Sequence, residues 1–232
     1  MAPKPKSFSS KSQAKSRRSA GPTSIPAIPT PISNWDFLGT EWRFLIFGMA
    51  MAFWSSLGQT FFISLFSNQI RQTLDISHGD FGTYYAIATT ASALSLIWLG
   101  RLADTIRLEK LAMFVLGSLC CSAILFSHVS SLWMLVGGLY LLRMFGQGMM
   151  THVYTTAMAR RYISTRGRAI SIAQLGQTLS ESIGPASIVA FLALFDWRSL
   201  WIGIPIIAFC MLAPFIRYLT QRTRLQDGES RD

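Results

Sequence analysis

Residues 110–142 read KLAMFVLGSLCCSAILFSHVSSLWMLVGGLYLL and carry one formal charge, Lys110, at their start. A helix rises about 1.5 Å per residue, so a hydrocarbon layer of about 30 Å takes roughly 20 apolar residues to cross. The run from Lys110 to Ser127 meets that length, and a second run opens at Ser131 after only His128, Val129 and Ser130. Two apolar helices joined by so short a turn run antiparallel and side by side. Spans of this kind lack the polar face that a soluble amphipathic helix needs.

The same pattern extends in both directions. Apolar stretches predict spans at Arg43 to Phe66, Gly82 to Leu99, Lys110 to Ser127, Ser131 to Ala159, Ala169 to Leu194 and Ser199 to Leu219. The fold class is therefore an all-α membrane protein, a single bundle of six transmembrane helices occupying residues 34–219. Composition agrees: 50% of the 232 residues are hydrophobic and 14% are charged, against roughly 25% charged residues in an average soluble domain.

Short cytoplasmic segments retain Lys and Arg, and nearly all of the 21 cations fall on one side of the predicted topology. That side receives the N-terminal tail with Arg43, the turn with Arg101, Arg107 and Lys110, the loop with Arg160, Arg161, Arg166 and Arg168, and the end with Arg217, Arg222, Arg224 and Arg231. The other side receives Arg71 and Arg198. Both termini are expected in the cytoplasm and the chain in the cell membrane, the inner one where there are two. The formal charge of +10 then describes a membrane-facing basic surface, and nucleic acid is not an expected partner.

Residues 1–33 combine Ser, Pro, Lys and Ala with no acidic residue, a composition expected to be a disordered basic tail. Ser16-Arg17-Arg18 is followed by a Pro-rich stretch where an export signal needs an apolar core, so a cleaved signal is not expected. Residues 220–232 form a short polar cytoplasmic tail. Cys120, Cys121 and Cys210 all lie within apolar runs, and His78, His128 and His152 are far apart, so neither a disulfide framework nor a metal site is expected. No cofactor is implied. Without a GxSxG or HExxH sequence, an intramembrane enzyme has no nucleophile or base to use.

Two ions stand inside the spans. A charge at a helix centre costs roughly 2.5–3.5 kcal/mol on insertion scales and usually marks a solute or ion path. Arg143 and Glu181 each lie about 18 Å from the start of their helices, which puts them at similar depth and makes a pair possible. Such a pair could hold an anionic substrate, gate a proton, or simply fix the packing. Gly58-Gln59 and Gly146-Gln147 occupy equal offsets in helices that start on opposite faces, the relation an inverted three-plus-three repeat produces. Gln59, Gln147 and Gln177 could then offer neutral donors and acceptors to a cavity.

Lipid removes the hydrophobic drive between helices, so small residues mark contacts. The second span, with Ala86, Ala88, Thr90, Ser92 and Ala93, is expected to meet neighbours on more than one side, and Gly137, Gly138, Gly146 and Gly148 to seat neighbours on the fourth. Gly184-Pro185 should kink or loosen the fifth span and serve as a hinge candidate.

The turn Gly100-Arg-Leu-Ala-Asp104-Thr-Ile-Arg107-Leu-Glu-Lys110 resembles the signature loop of the major facilitator superfamily, Gly-x-Leu-Ala-Asp-Arg-x-Gly-Arg-Arg. Gly100, Leu102, Ala103 and Asp104 match. Arg107 stands where that family prefers glycine, and Leu108 and Glu109 replace two usual cations before Lys110 restores one. Arg143-Met-Phe-Gly146-Gln147-Gly148 and Ser180-Glu-Ser-Ile-Gly184-Pro185 are similar to further family motifs in spans four and five, although Ile188 and Val189 replace the glycines that follow in antiporters.

The resemblance implies one six-helix bundle of a secondary transporter, moving a small solute by alternating access. It further implies a gating role for Gly100, Leu102, Asp104, Arg107 and Lys110, with Gly100 letting two helices approach. The implied partners are the lipid bilayer, a small-molecule substrate and a second six-helix bundle. The alternative is a non-transporting fragment, or a half-size membrane partner that needs a second bundle.

Overall fold

The computed structural model describes the backbone of residues 34–229 and the side chains of residues 41–101 and 106–218. The basic tail expected at residues 1–33 lies outside the described residues. Among the described residues the chain is helical without a strand, and it folds as six consecutive rods. The first rod is interrupted, comprising α1 (Asn34–Trp54), a 3-10 turn (Ser55–Gly58), α2 (Thr60–Ser64) and α3 (Ser67–Leu74). The second and third are α4 (His78–Thr105) and α5 (Leu108–Ser127). The fourth joins α6 (Leu132–Leu142) to α7 (Thr151–Arg161) through a π-helical stretch, Arg143–Met150. The fifth and sixth are α8 (Arg166–Leu192) and α9 (Trp197–Glu229).

Among the described residues, three segments are long and apolar enough to cross a membrane: Glu41–Ser64, Leu108–Ser127 and Trp197–Tyr218. They correspond to the expected first, third and sixth spans. The other three rods fall short of the six-span expectation for visible reasons. Hydroxyl and small residues interrupt the apolar content of α4 and α8, and the fourth rod is divided by its π-helical stretch. The sixth helix also outruns its expected end at Leu219 and continues to Glu229.

Turns between rods are set by local chemistry. Ser77 caps α4 by accepting from the Asp80 amide at 3.1 Å, while Asp80 Oδ2 accepts from the Ser77 amide at 3.2 Å. Reciprocal caps of this type contribute on the order of 1 kcal/mol. Ser131 caps α6 by accepting from the Met134 amide at 3.4 Å. Across the same turn, Arg198 donates to the carbonyls of Ser127 (2.6 Å) and Val129 (3.0 Å), neutralising the exposed end of α5 from the start of α9.

Packing follows the small residues. A Cβ added at Gly176 would run into the carbonyl of Met49, so α1 lies directly on the backbone of α8. One at Gly48 would come within 2.6 Å of Met158 Cε and 2.9 Å of Ala173 Cβ. Gly138 seats the Phe126 ring in the same way, at 2.6 Å. Where α5 meets α9, Cys120 is buried and its thiol donates to the Pro205 carbonyl at 3.2 Å. Trp201, 1% exposed, sits in an aromatic cluster with the rings of Phe62, Phe66 and Phe126 at 5.5, 5.2 and 4.8 Å. Such ring pairs contribute about 0.5–1.5 kcal/mol each beyond area burial.

One packing expectation is corrected. The second rod has one covered side: Ala88 and Ser92 are buried, whereas Ala86, Thr90 and Ala93 are exposed, as are Leu94, Ile97 and Trp98. Its small residues therefore form two faces, and this chain covers only one of them. In addition, α8 stays helical through Pro185. A Cβ at Gly184 would make an ordinary 3.5 Å contact with Phe61.

Candidate functional site

The interruption in the first rod and the π-helical stretch in the fourth meet each other. After the 3-10 turn, Gln59 takes an extended conformation (φ −83°, ψ 153°) before α2 begins. Gly58 and Gly146 touch through their backbones at this point. A Cβ at Gly146 would lie 2.6 Å from Gly58 Cα and 2.7 Å from Gly58 N, while one at Gly58 would strike the carbonyl of Leu142. The coincidence of Gly-Gln pairs in the sequence thus corresponds to a physical crossing. The two glutamines have different environments, with Gln59 buried and Gln147 exposed.

Arg143 opens the π-helical stretch and is 7% exposed. Its Nη1 donates to the Gly58 carbonyl at 3.2 Å and to Thr60 Oγ1 at 3.1 Å. The carbonyl it reaches belongs to the residue where the 3-10 turn ends, so the guanidinium satisfies backbone that a regular helix would have paired. Tyr85 on α4 lies with its ring 5.3 Å from the guanidinium carbon and donates its hydroxyl to Thr60 Oγ1 at 2.8 Å. Nε of Arg143 is buried without an acceptor, a condition that costs roughly 1–3 kcal/mol. A small cleft of about 130 Å³ adjoins the group, lined by Thr60, Ile63, Ser64, Phe81, Gly82 and Tyr85.

No ion pair joins Arg143 to Glu181. Glu181 is exposed on α8 and accepts from Gln177 Nε2 at 2.9 Å, one helical turn away. Equal depth did not imply equal azimuth: α8 turns Ala173, Gly176 and Ser180 inward and leaves Gln174, Thr178, Glu181 and Ser182 on an exposed polar face. Two partners of Arg143, Thr60 and Tyr85, are not signalled by any motif in the sequence. Thr60 follows directly on the Gly58-Gln59 pair, a position that could have drawn attention to it, and Tyr85 is the second of two adjacent tyrosines that precede a small-residue run.

The turn after α4 is only partly described. The side chains of Leu102 and Asp104 lie outside the described residues. Among the described residues, nothing lies within 4 Å of where a Cβ at Gly100 would sit. Arg107 precedes α5 in an extended conformation, and Arg107 and Lys110 are exposed.

A second polar group ties the beginning of the first rod to the end of the fourth. Glu41 Oε2 accepts from Arg161 Nε at 3.0 Å and from the Tyr162 hydroxyl at 2.9 Å, with Arg161 Nη2 also at 2.9 Å. Arg161 lies over the Phe44 ring at 4.8 Å. Burial pulls the Arg161 pKa down, but the hydrogen bond and charge of Glu41, with Tyr162, outweigh it and leave the pKa above its ordinary value. Burial, then the Glu41 hydrogen bond and charge, raises the Tyr162 phenol, which keeps its proton to donate.

A helical bundle with apolar spans and an interior arginine is compatible with many membrane proteins, and comparison with known families narrows the choice. The family model described as Major Facilitator Superfamily matches residues 7–162 and 48–232. The chain belongs to the major facilitator superfamily. No curated protein and no solved structure matches it. Superfamily members are solute transporters of the membrane rather than enzymes, so Arg143 and its surroundings belong to a protein of that class. The apolar side chains exposed around the bundle, among them Trp133 at 88% and Trp98 at 67%, suit a lipid surrounding for this superfamily member.

Proposed function

We propose that this chain is one six-helix bundle of a secondary transporter, moving a small solute by alternating access, with six spans and both termini on the cytoplasmic side. The observation that carries this reading is the crossing of two irregular segments, Ser55–Gln59 and Arg143–Met150, at Gly58 and Gly146 beside a buried arginine. Non-helical backbone at membrane depth is tolerated where protein buries it or where it lines a cavity. Interrupted helices related by an inverted repeat commonly form transporter binding sites. Arg143 is the central solute-binding candidate, and Gln59, Gln147 and Gln177 are secondary ones. Glu181 is a candidate proton site on the polar face of α8.

The exposed polar face of α8, with Gln174, Thr178, Glu181 and Ser182, favours a second bundle as partner, because polar groups are costly to offer to lipid. The turn containing Gly100, Leu102, Asp104, Arg107 and Lys110 would gate against that partner, and Gly184-Pro185 would give α8 a place to bend.

Reconstitution tests the reading. The purified chain is placed in liposomes, its copies per particle are counted, and uptake is measured for a panel of sugars, amino acids, organic acids and cationic solutes. Saturable uptake that Arg143→Ala removes, in a particle holding two bundles, is the expected result. A folded chain that moves no solute would instead favour the non-transporting half-size or fragment reading.

A further inference from the structure

We infer that the Arg143 site takes a small monocarboxylate, held through the unoccupied edge of the guanidinium with its body in the adjoining cleft. The inference rests on the transporter reading for its role as substrate, but the binding chemistry stands on the site itself. A guanidinium presents two edges suited to a carboxylate, and the side edge consists of Nε and Nη2. Here Nη1 alone holds protein acceptors, Gly58 O and Thr60 Oγ1. Nε is buried without one, and no ion pair neutralises the charge among the described residues. A carboxylate satisfies this edge with two parallel hydrogen bonds.

Thr60 contributes a second recognition element. Its oxygen accepts from both Arg143 and Tyr85, which leaves the hydroxyl proton to donate to a third partner. Thr60 and Tyr85 also line the cleft of about 130 Å³, whose remaining walls include Ile63 and Phe81. An apolar cavity of about 150 Å³ accommodates benzene, so this space suits an acid with a body of a few heavy atoms. The cleft lining itself contains no cation, so Arg143 beside it is the one charge a ligand there can meet, which selects one carboxylate over two.

The test is ligand binding to the purified full chain in detergent at constant ionic strength, read by thermal melting and calorimetry. The probes are propionate and lactate, with propionamide, propylammonium and chloride as comparisons. Propionate and lactate should bind saturably while propionamide and propylammonium do not. Arg143→Lys should weaken binding about tenfold or more by losing the two-pronged contact, and Thr60→Val should weaken it by about three- to tenfold. Melting of each unliganded variant checks its folding.

Failure of both acids to bind folded wild-type protein overturns the inference, as does equal binding of propionamide or chloride. Labelled-propionate uptake into liposomes separates this inference from the transporter reading. Arg143-dependent binding without uptake supports the site and defeats transport of this acid. Uptake of a neutral or cationic solute with no carboxylate binding keeps transport and defeats the site assignment.

Discussion

Gly58 and Gly146 lie backbone against backbone, with room for no side chain at either position. The contact allows the 3-10 turn and the π-helical stretch to approach closely enough for Arg143 to reach the Gly58 carbonyl. Gly58→Ala or Gly146→Ala should therefore lower stability by about 1–3 kcal/mol, the usual range for overpacking. Gly137→Ala is the internal comparison, since a Cβ there meets nothing within 4 Å. Thermal melting of the purified variants should separate the first two from the third, and equal melting of all three would remove the crossing as a constraint.

Arg143 and Glu181 should behave independently in stability. Groups that share no partner usually add within about 0.3–0.5 kcal/mol, and their observed partners are separate. A double-mutant cycle on Arg143→Gln and Glu181→Gln, measured by denaturation, is expected to show no coupling beyond that range. A coupling of several times this size would restore the direct pair that equal depth suggested.

The Glu41–Arg161 interaction should be measurable but modest. Its two side chains are 26% and 27% exposed, so solvent screening trims the interaction to about 1 kcal/mol. A cycle through Glu41→Gln and Arg161→Gln should show that coupling shrinking as salt is raised.

Tyr162 adds a pH signature to the same group. Its folded pKa is raised above the unfolded value of about 10, so the folded form favours the protonated phenol. The associated stability is complete below pH ~10 and is lost as pH climbs from there toward the folded pKa. Melting temperature should fall more steeply between about pH 9.5 and 11 in wild type than in Tyr162→Phe. Parallel curves would show that the phenol contributes nothing to this loss.

Arg198→Ala should loosen the turn between α5 and α6. It removes two charge-assisted hydrogen bonds to carbonyls, at a cost of about 1.5–3 kcal/mol. Arg198→Lys should recover only part of that loss, because an ammonium lacks the planar fork that reaches both oxygens. Hydrogen exchange at residues 126–132 is the local readout, and unchanged exchange in Arg198→Ala would contradict the assigned role.

Much of this architecture follows from local rules that a sequence displays. Apolar runs of helical length, the start of the fourth rod at Ser131 and the interior charge at Arg143 are properties of short segments. What escaped them is relational. The π-helical stretch and the break after Trp54 arise where two rods press together, and nothing in either segment alone requires them. Depth along a helix is readable from residue number, whereas the direction a side chain faces depends on neighbours, so Arg143 found Thr60 and Tyr85 rather than Glu181. Glu41 and Arg161 are likewise 120 positions apart, and only the adjacency of the first and fourth rods reveals their contact.

The ring cluster around Trp201 and the Glu41–Arg161–Tyr162 group differ in what can disturb them. Interlocked rings respond to solvents and detergents that compete for apolar contact, and are largely indifferent to salt. The ionic group responds to salt and alkali. The bundle is therefore chemically addressable at two separate places: ionic conditions should soften the junction of the first and fourth rods while leaving the aromatic weld intact. High salt should thus weaken that junction by up to about 1 kcal/mol and leave the rings unaffected, a difference that hydrogen exchange at each place would register.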